Sequence, residues 1–114
     1  MKIDFYLRFH TRFGQALSIV GNLPALGNDE MEKALPLSFL NDEYWHTSIE
    51  IDPSEIEELR YRYVFTEADE SKKEAEKQRT VELKKIQHHL VLIDTWNDES
   101  FTYPMPPLFA RARK

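Results

Sequence analysis

The sequence predicts an antiparallel β-sandwich of about seven short strands. Three observations carry this. Apolar and polar residues alternate with period two in three separate segments. Turn signals recur at roughly 8–12-residue spacing. The 114 residues are 41% apolar and 12% aromatic, enough for one packed core.

The first strand is the clearest. Ile3, Phe5, Leu7 and Phe9 share one face, against Asp4, Tyr6, Arg8 and His10 on the other. Phe13-Gly14 marks a turn, and residues 16–20 (ALSIV) form a second strand stopped by Gly21-Asn22 and Pro24. Residues 21–31 read as loop. Leu35, Leu37 and Phe39 suggest a further strand, which Pro36 assigns to an edge or a bulge. Asn41-Asp42 is a turn. Trp45, Thr47, Ile49 and Ile51 then alternate with polar neighbours until Asp52-Pro53-Ser54. Leu59, Tyr61, Tyr63 and Phe65 make an aromatic-rich strand. Residues 67–80 hold no large apolar side chain and read as a solvated loop or a surface helix of ion pairs. Val81 and Leu83 hint at a short strand, and His89–Ile93 fits a buried one. The expected core includes Phe5, Leu7, Leu17, Ile19, Trp45, Ile49, Tyr61 and Tyr63. Residues 97–114 contain Pro104, Pro106 and Pro107 and have the composition of a linker toward a following domain, not of a strand. The module itself is expected over 1–96.

Charge and composition narrow the function classes. Twenty acidic against 15 basic side chains give a net charge of −5, unfavourable for nucleic acid, which needs clustered Lys and Arg. No apolar run approaches the ~20 residues of a membrane span. The charged N-terminal segment lacks the apolar stretch of a secretory signal, and an initiator Met favours the cytoplasm. Cysteine is absent, which excludes disulfides, thiolate zinc sites and cysteine nucleophiles.

Catalytic constellations are not legible. The four histidines, His10, His46, His88 and His89, lack the helical i, i+4 spacing of a zinc site, so no metal or other cofactor is expected. The carboxylates lie in runs typical of solvated faces, and no serine sits in a nucleophile elbow. Binding remains. A pyranose ring stacks its C–H face on an aromatic ring while amides and charged groups bond its hydroxyls. Phe13, Tyr6, Tyr44, Trp45 and Tyr63 are candidates by type. Trp45 and Tyr63 belong to inward-facing rows, whereas Phe13 stands beside a turn glycine outside any strand.

The spacing of residues 14–37 (GQALSIVGNLPALGNDEMEKALPL) resembles the opening of family 20 carbohydrate-binding modules, the starch-binding domains. Gly14, Leu17, Val20, Gly21, Leu26 and Gly27 fall on the family's positions. Trp45 matches the Trp opening the next strand, Tyr61-Arg62-Tyr63 the Tyr-Lys-aromatic signature, and Arg79 the Arg closing the binding loop. The resemblance implies an immunoglobulin-like sandwich and an α-glucan ligand: starch, glycogen or maltooligosaccharide. Its first site implies polar contacts from Arg62, Glu74 and Gln78. The two Trp platforms of that site are missing, their positions being taken by Asn28 or Asp29 and by Lys73. Its second site implies stacking on Phe13 beside Gly14.

The run LVLIDTW at 90–96, with Pro107-Leu108-Phe109 after a spacer, resembles the end of the first of two tandem starch-binding domains in plant and bacterial 4-α-glucanotransferases (amylomaltase, disproportionating enzyme). There a family 77 glycoside hydrolase domain follows. The resemblance implies a non-catalytic, cytoplasmic module, with further modules of its own polypeptide as neighbours and neither nucleic acid nor membrane as partner. The alternative is a structural or dimerising spacer of the same fold that has lost sugar binding.

Overall fold

In the computed structural model, residues 1–52, 54–75, 78–83 and 88–96 are described in full, and 100–103 as backbone. Among the described residues, ten strands form two sheets. They are β1 (Lys2–Arg8), β2 (Ala16–Gly21), β3 (Leu35–Pro36), β4 (Ser38–Phe39), β5 (Tyr44–Glu50), β6 (Glu58–Thr66), β7 (Lys72–Glu74), β8 (Arg79–Glu82), β9 (His89–Thr95) and β10 (Ser100–Tyr103). One sheet runs β10-β9-β1-β5-β4. The other runs β3-β2-β6-β7, with β8 also paired to β6.

The alternating rows meet between the sheets. Ile3, Phe5 and Leu7 of β1, Trp45 and Ile49 of β5, and Leu90 and Leu92 of β9 face Leu17 and Ile19 of β2 and Leu59, Tyr61 and Tyr63 of β6 in one core. Every residue expected in the core is there. Phe5 touches Tyr61 across the sandwich, ring centroids 5.3 Å apart at 67°, an edge geometry worth ~0.5–1.5 kcal/mol beyond area burial.

Several local expectations are corrected. β1 runs antiparallel to β5 but parallel to β9, with Lys2 opposite His89 and Arg8 opposite Thr95. Alternation reports which face is buried and carries no strand direction. The segment 67–80 is neither an uninterrupted loop nor a helix. Lys72–Glu74 and the start of β8 pair with opposite ends of β6, so β6 supplies backbone partners to a stretch with little apolar content. Residues 24–29 and 31–33 form short 3-10 segments inside the expected loop, the first kinked at Leu26, Gly27 and Asn28. Pro36 does lie on an edge strand, and the strand expected there is split in two at Leu37. Ser100–Tyr103 forms β10 on the edge of β9 within the linker-like stretch, where Phe101, Thr102 and Tyr103 favour extended pairing. The remaining tail residues, with Pro104, Pro106, Pro107, Leu108 and Phe109, lie outside the described residues.

Candidate functional site

Phe13 sits in the connection between β1 and β2. Its ring is fully exposed, at 104% relative accessibility. The following Gly14 has φ +89°, a conformation open to glycine and strained for other residues. A Cβ at Gly14 would lie 3.1 Å from the Cβ of Ala68, so the turn rests against the loop joining β6 and β7. Two bonds fix it there. The Arg12 amide donates to Gln15 Oε1 at 2.6 Å, and Gln15 Nε2 donates to Glu67 Oε1 at 3.1 Å. The partner loop is shaped by Asp69, whose Oδ1 accepts the Ser71 amide at 3.0 Å and hydroxyl at 2.7 Å. Those bonds hold the Asp69 carboxyl below its ordinary range. Phe13 is therefore a protruding apolar platform on a braced turn.

Arg62 lies on the outer face of β6, half-buried, between inward-facing Tyr61 and Tyr63. Its Nε and Nη2 donate to Oε1 and Oε2 of Glu74 at 3.0 and 3.4 Å. This fork spends two of the guanidinium's five N–H donors. Gln78 is exposed and immediately precedes β8. Tyr61 opposes Arg79, so extending that register by one residue places Gln78 beside Arg62. Arg62 and Glu74 are thus joined on the outer sheet face, with Gln78 one residue beyond the Tyr61–Arg79 pair, and none of the three carries an aromatic ring. Lys73 and Asp29, at the positions of the missing Trp pair, are both exposed.

Phe13 is not part of that patch. Ala16 opposes Thr66 and Val20 opposes Arg62, four residues further along the ladder, or about 14 Å of strand. The five candidate residues form two separate spots.

One other expectation changes. Arg79, matched to an Arg closing the binding loop, points inward. It is 4% exposed, places its guanidinium 5.3 Å from the Tyr63 ring centroid, and sets Nε 3.7 Å from Asp94 Oδ1. Tyr61 and Tyr63 both donate to Asp94 Oδ2. Burial, then the Asp94 charge, pushes both phenols far above their ordinary range, so they serve as permanent donors. Tyr6 and Tyr44 lie on the outer face of the β1-containing sheet, ring centroids 6.4 Å apart.

One concavity was missed in the sequence. Phe9, Phe65 and Trp96 gather at one end of the sandwich and line a groove of about 400 Å³. In the sequence Phe9 and Phe65 are the last members of inward rows, and Trp96 closes the run at 90–96. The parallel β1–β9 register, which brings Arg8 opposite Thr95, makes Phe9 and Trp96 neighbours.

Among solved structures, the chain is similar to the glycoside hydrolase family 15 glucoamylase of Hypocrea jecorina, with 23% identity and a TM-score of 0.68 over 85% of this chain and 17% of that one. It is similar to Hormoconis resinae glucoamylase at 25% identity, TM-score 0.69, over 86% of this chain and 17% of that one. It also matches the family 20 module of the maltotetraose-forming amylase of Pseudomonas saccharophila, at 16% identity and TM-score 0.60, over 83% of this chain and 99% of that one. The chain thus spans less than a fifth of the glucoamylases and nearly the whole of the isolated module. No curated protein matches it by sequence. The starch binding domain model matches residues 1–90, most of the sandwich, and the chain belongs to that family of non-catalytic modules.

Proposed function

We propose that this chain binds α-glucan as the carbohydrate-binding module of a 4-α-glucanotransferase acting in the cytoplasm. The observation that carries the binding is Phe13, a fully exposed ring on a turn held by Gly14 and the Gln15–Glu67 bond. Sugar hydroxyls gain little by exchanging water for protein partners. The C–H face of a glucosyl ring gains by burial against a flat apolar surface. Phe13 supplies that surface, and Arg62, Glu74 and Gln78 supply a weaker polar contact on the sheet face. In this reading 1–96 is the module, and 97–114, with its β10 segment docked on β9, leads to a following module. The glucanotransferase assignment is supported by the resemblance of the 90–96 run and the Pro-containing tail.

The test is isothermal titration of the chain with β-cyclodextrin and maltoheptaose, together with sedimentation with granular starch. Expected is millimolar affinity for the free sugars, as fits a lone platform, with useful attachment arising from avidity between modules. Absence of binding in all three would overturn the reading.

A specific observation favours a second reading, a spacer that has lost sugar binding. Lys73 and Asp29 stand exposed where the family resemblance implies two Trp platforms. Titrations silent at high sugar concentration, with the fold intact, would select it.

A further inference from the structure

We propose that the groove lined by Phe9, Phe65 and Trp96 is a third α-glucan subsite, separate from both the Phe13 turn and the Arg62–Glu74 face. This rests on the reading that the chain binds α-glucan. Phe9 and Phe65 stack at 5.2 Å and 24°, and Trp96 stands nearly perpendicular to Phe9 at 5.1 Å and 87°. All three rings are only partly buried, although they pack against the core. They come from the ends of three strands, β1, β6 and β9, so the sandwich itself positions them.

The concavity has the dimensions and the chemistry for a glucosyl unit. Its volume of about 400 Å³ falls in the range of small-molecule clefts. Its wall is aromatic, while Glu67, Ser71, Lys72 and Lys73 form a polar rim carrying a carboxylate, a hydroxyl and two ammonium groups. Sugar hydroxyls both donate and accept, and this rim answers both roles. A purely apolar ligand would leave the rim charges poorly solvated, and a phosphate, though drawn by Lys72 and Lys73, would face Glu67 and leave the three aromatic rings without an apolar partner. A neutral polyol with one C–H face satisfies all of these groups.

The groove adjoins the Phe13 turn through one residue. Glu67 lines the groove and accepts the hydrogen bond from Gln15, two residues beyond Phe13. Lys73 then gains a role: at a position where the resemblance implies a stacking Trp, it rims a different aromatic site.

The experiment uses the two indoles of the chain as internal controls, since Trp45 is a core residue and Trp96 lines the groove. Indole N–H and backbone amide resonances are followed by NMR during a maltoheptaose titration of the whole chain, with the indoles assigned from Trp96→Phe. Expected are saturable shifts of the Trp96 indole and of the amides of Ser71 and Lys73, with the Trp45 indole unmoved. In Phe13→Ala these shifts persist while those of the 12–15 turn vanish. Lys73→Glu, on the exposed rim, weakens the Trp96 response by about threefold or more without changing the melting temperature, a modest loss suited to one polar contact. If the turn or Arg62 responds to sugar while Trp96, Ser71 and Lys73 stay silent, the groove proposal falls and the glucan reading stands. If nothing responds, both fall.

Discussion

Tyr63 donates its hydroxyl hydrogen to Asp94 Oδ2 across 2.6 Å in the interior of the sandwich. Tyr61 donates to the same oxygen at 2.8 Å, from the same face of β6, and Arg79 of β8 faces the other oxygen. Asp94 belongs to β9 in the opposite sheet, so the carboxylate links the two layers where other inward positions are apolar. A buried carboxylate is tolerable only when its charge and lone pairs are answered. Removing it takes the carboxylate from a buried guanidinium, which keeps the Thr95 carbonyl, and the acceptor from two buried phenols. Asp94→Ala should therefore lower stability by ~3–5 kcal/mol, comparable to the whole stability of a marginal domain. Tyr63→Phe, which leaves the Tyr61 bond in place, should cost ~1–2 kcal/mol. Urea denaturation measures both. Equal effects for the two variants would show that Asp94 is not the hub.

Phe13→Ala should separate binding from folding. A fully exposed side chain contributes within about ±0.5 kcal/mol to stability. Its stacking value, by analogy with bases on aromatic rings, is ~1–3 kcal/mol, or roughly 5- to 150-fold in affinity. Affinity electrophoresis in amylopectin, beside a thermal melt, reads both. A drop in melting temperature with retained retardation would reverse the assignment.

The contrast between Phe13 and Arg79 shows what the sequence made legible. Phe13 stands out because nothing around it alternates and a glycine follows. Arg79 was matched through a one-dimensional loop position, yet its side chain enters the core because β8 pairs with β6 so that Arg79 opposes buried Tyr61. Alternation placed the inward rows of β1, β2, β5 and β6 because a sheet with one buried face imposes period two. The groove escaped for the opposite reason. Phe9, Phe65 and Trp96 meet only through the parallel β1–β9 pairing, between segments more than 80 residues apart. Hydropathy along the chain does not report partners at that separation.

Trp45 fills the core from β5 and touches Phe39 edge-on at 5.6 Å. Trp45→Ala should cost ~3–5 kcal/mol, the range for large aromatic deletions. Its buried indole Nε1 has no hydrogen-bond partner among the described residues, so the polar atom adds nothing that phenylalanine lacks. Trp45→Phe should consequently cost clearly less than Trp45→Ala. Differential scanning calorimetry of the pair decides it, and equal losses would point to a role for the indole nitrogen.

Gly27 and Gly14 should differ on substitution. Both have φ near +80 to +90°. A Cβ at Gly27 would lie 2.4 Å from the backbone oxygen of Lys33, between the two 3-10 segments, with no flexible side chain to give way. At Gly14 the nearest atom is the Ala68 Cβ at 3.1 Å, in an exposed loop. Gly14→Ala should cost about 1–2 kcal/mol for the backbone conformation alone. Gly27→Ala adds a clash with main chain and should cost more. Reversal of that order in thermal melts would contradict the packing of residues 24–33.

The acid limb of stability should depend on Asp4. This residue points to the outer face of β1 yet is only 6% exposed, between His46 of β5 and His89 of β9. His46 Nε2 lies 2.7 Å from Oδ1, and His89 Nε2 lies 2.5 Å from Oδ2. Burial pushes the Asp4 carboxyl up, but the hydrogen bonds from His46 and His89 and the positive charges of Lys2 and His46 outweigh it. The net result holds Asp4 below its ordinary value of 3.8. A carboxylate with a depressed pKa in the folded state binds fewer protons there than in the unfolded chain. Its contribution is therefore fully present above pH 3.8 and is lost as the pH falls through the lower, folded-state value. Asp4→Asn removes the titration and keeps the shape. The wild-type chain should exceed this variant in stability at pH 6, and the gap should close as acid is added. Urea midpoints for both proteins between pH 6 and pH 2 test this. A gap of constant size would mean that Asp4 acts through packing and not through its charge.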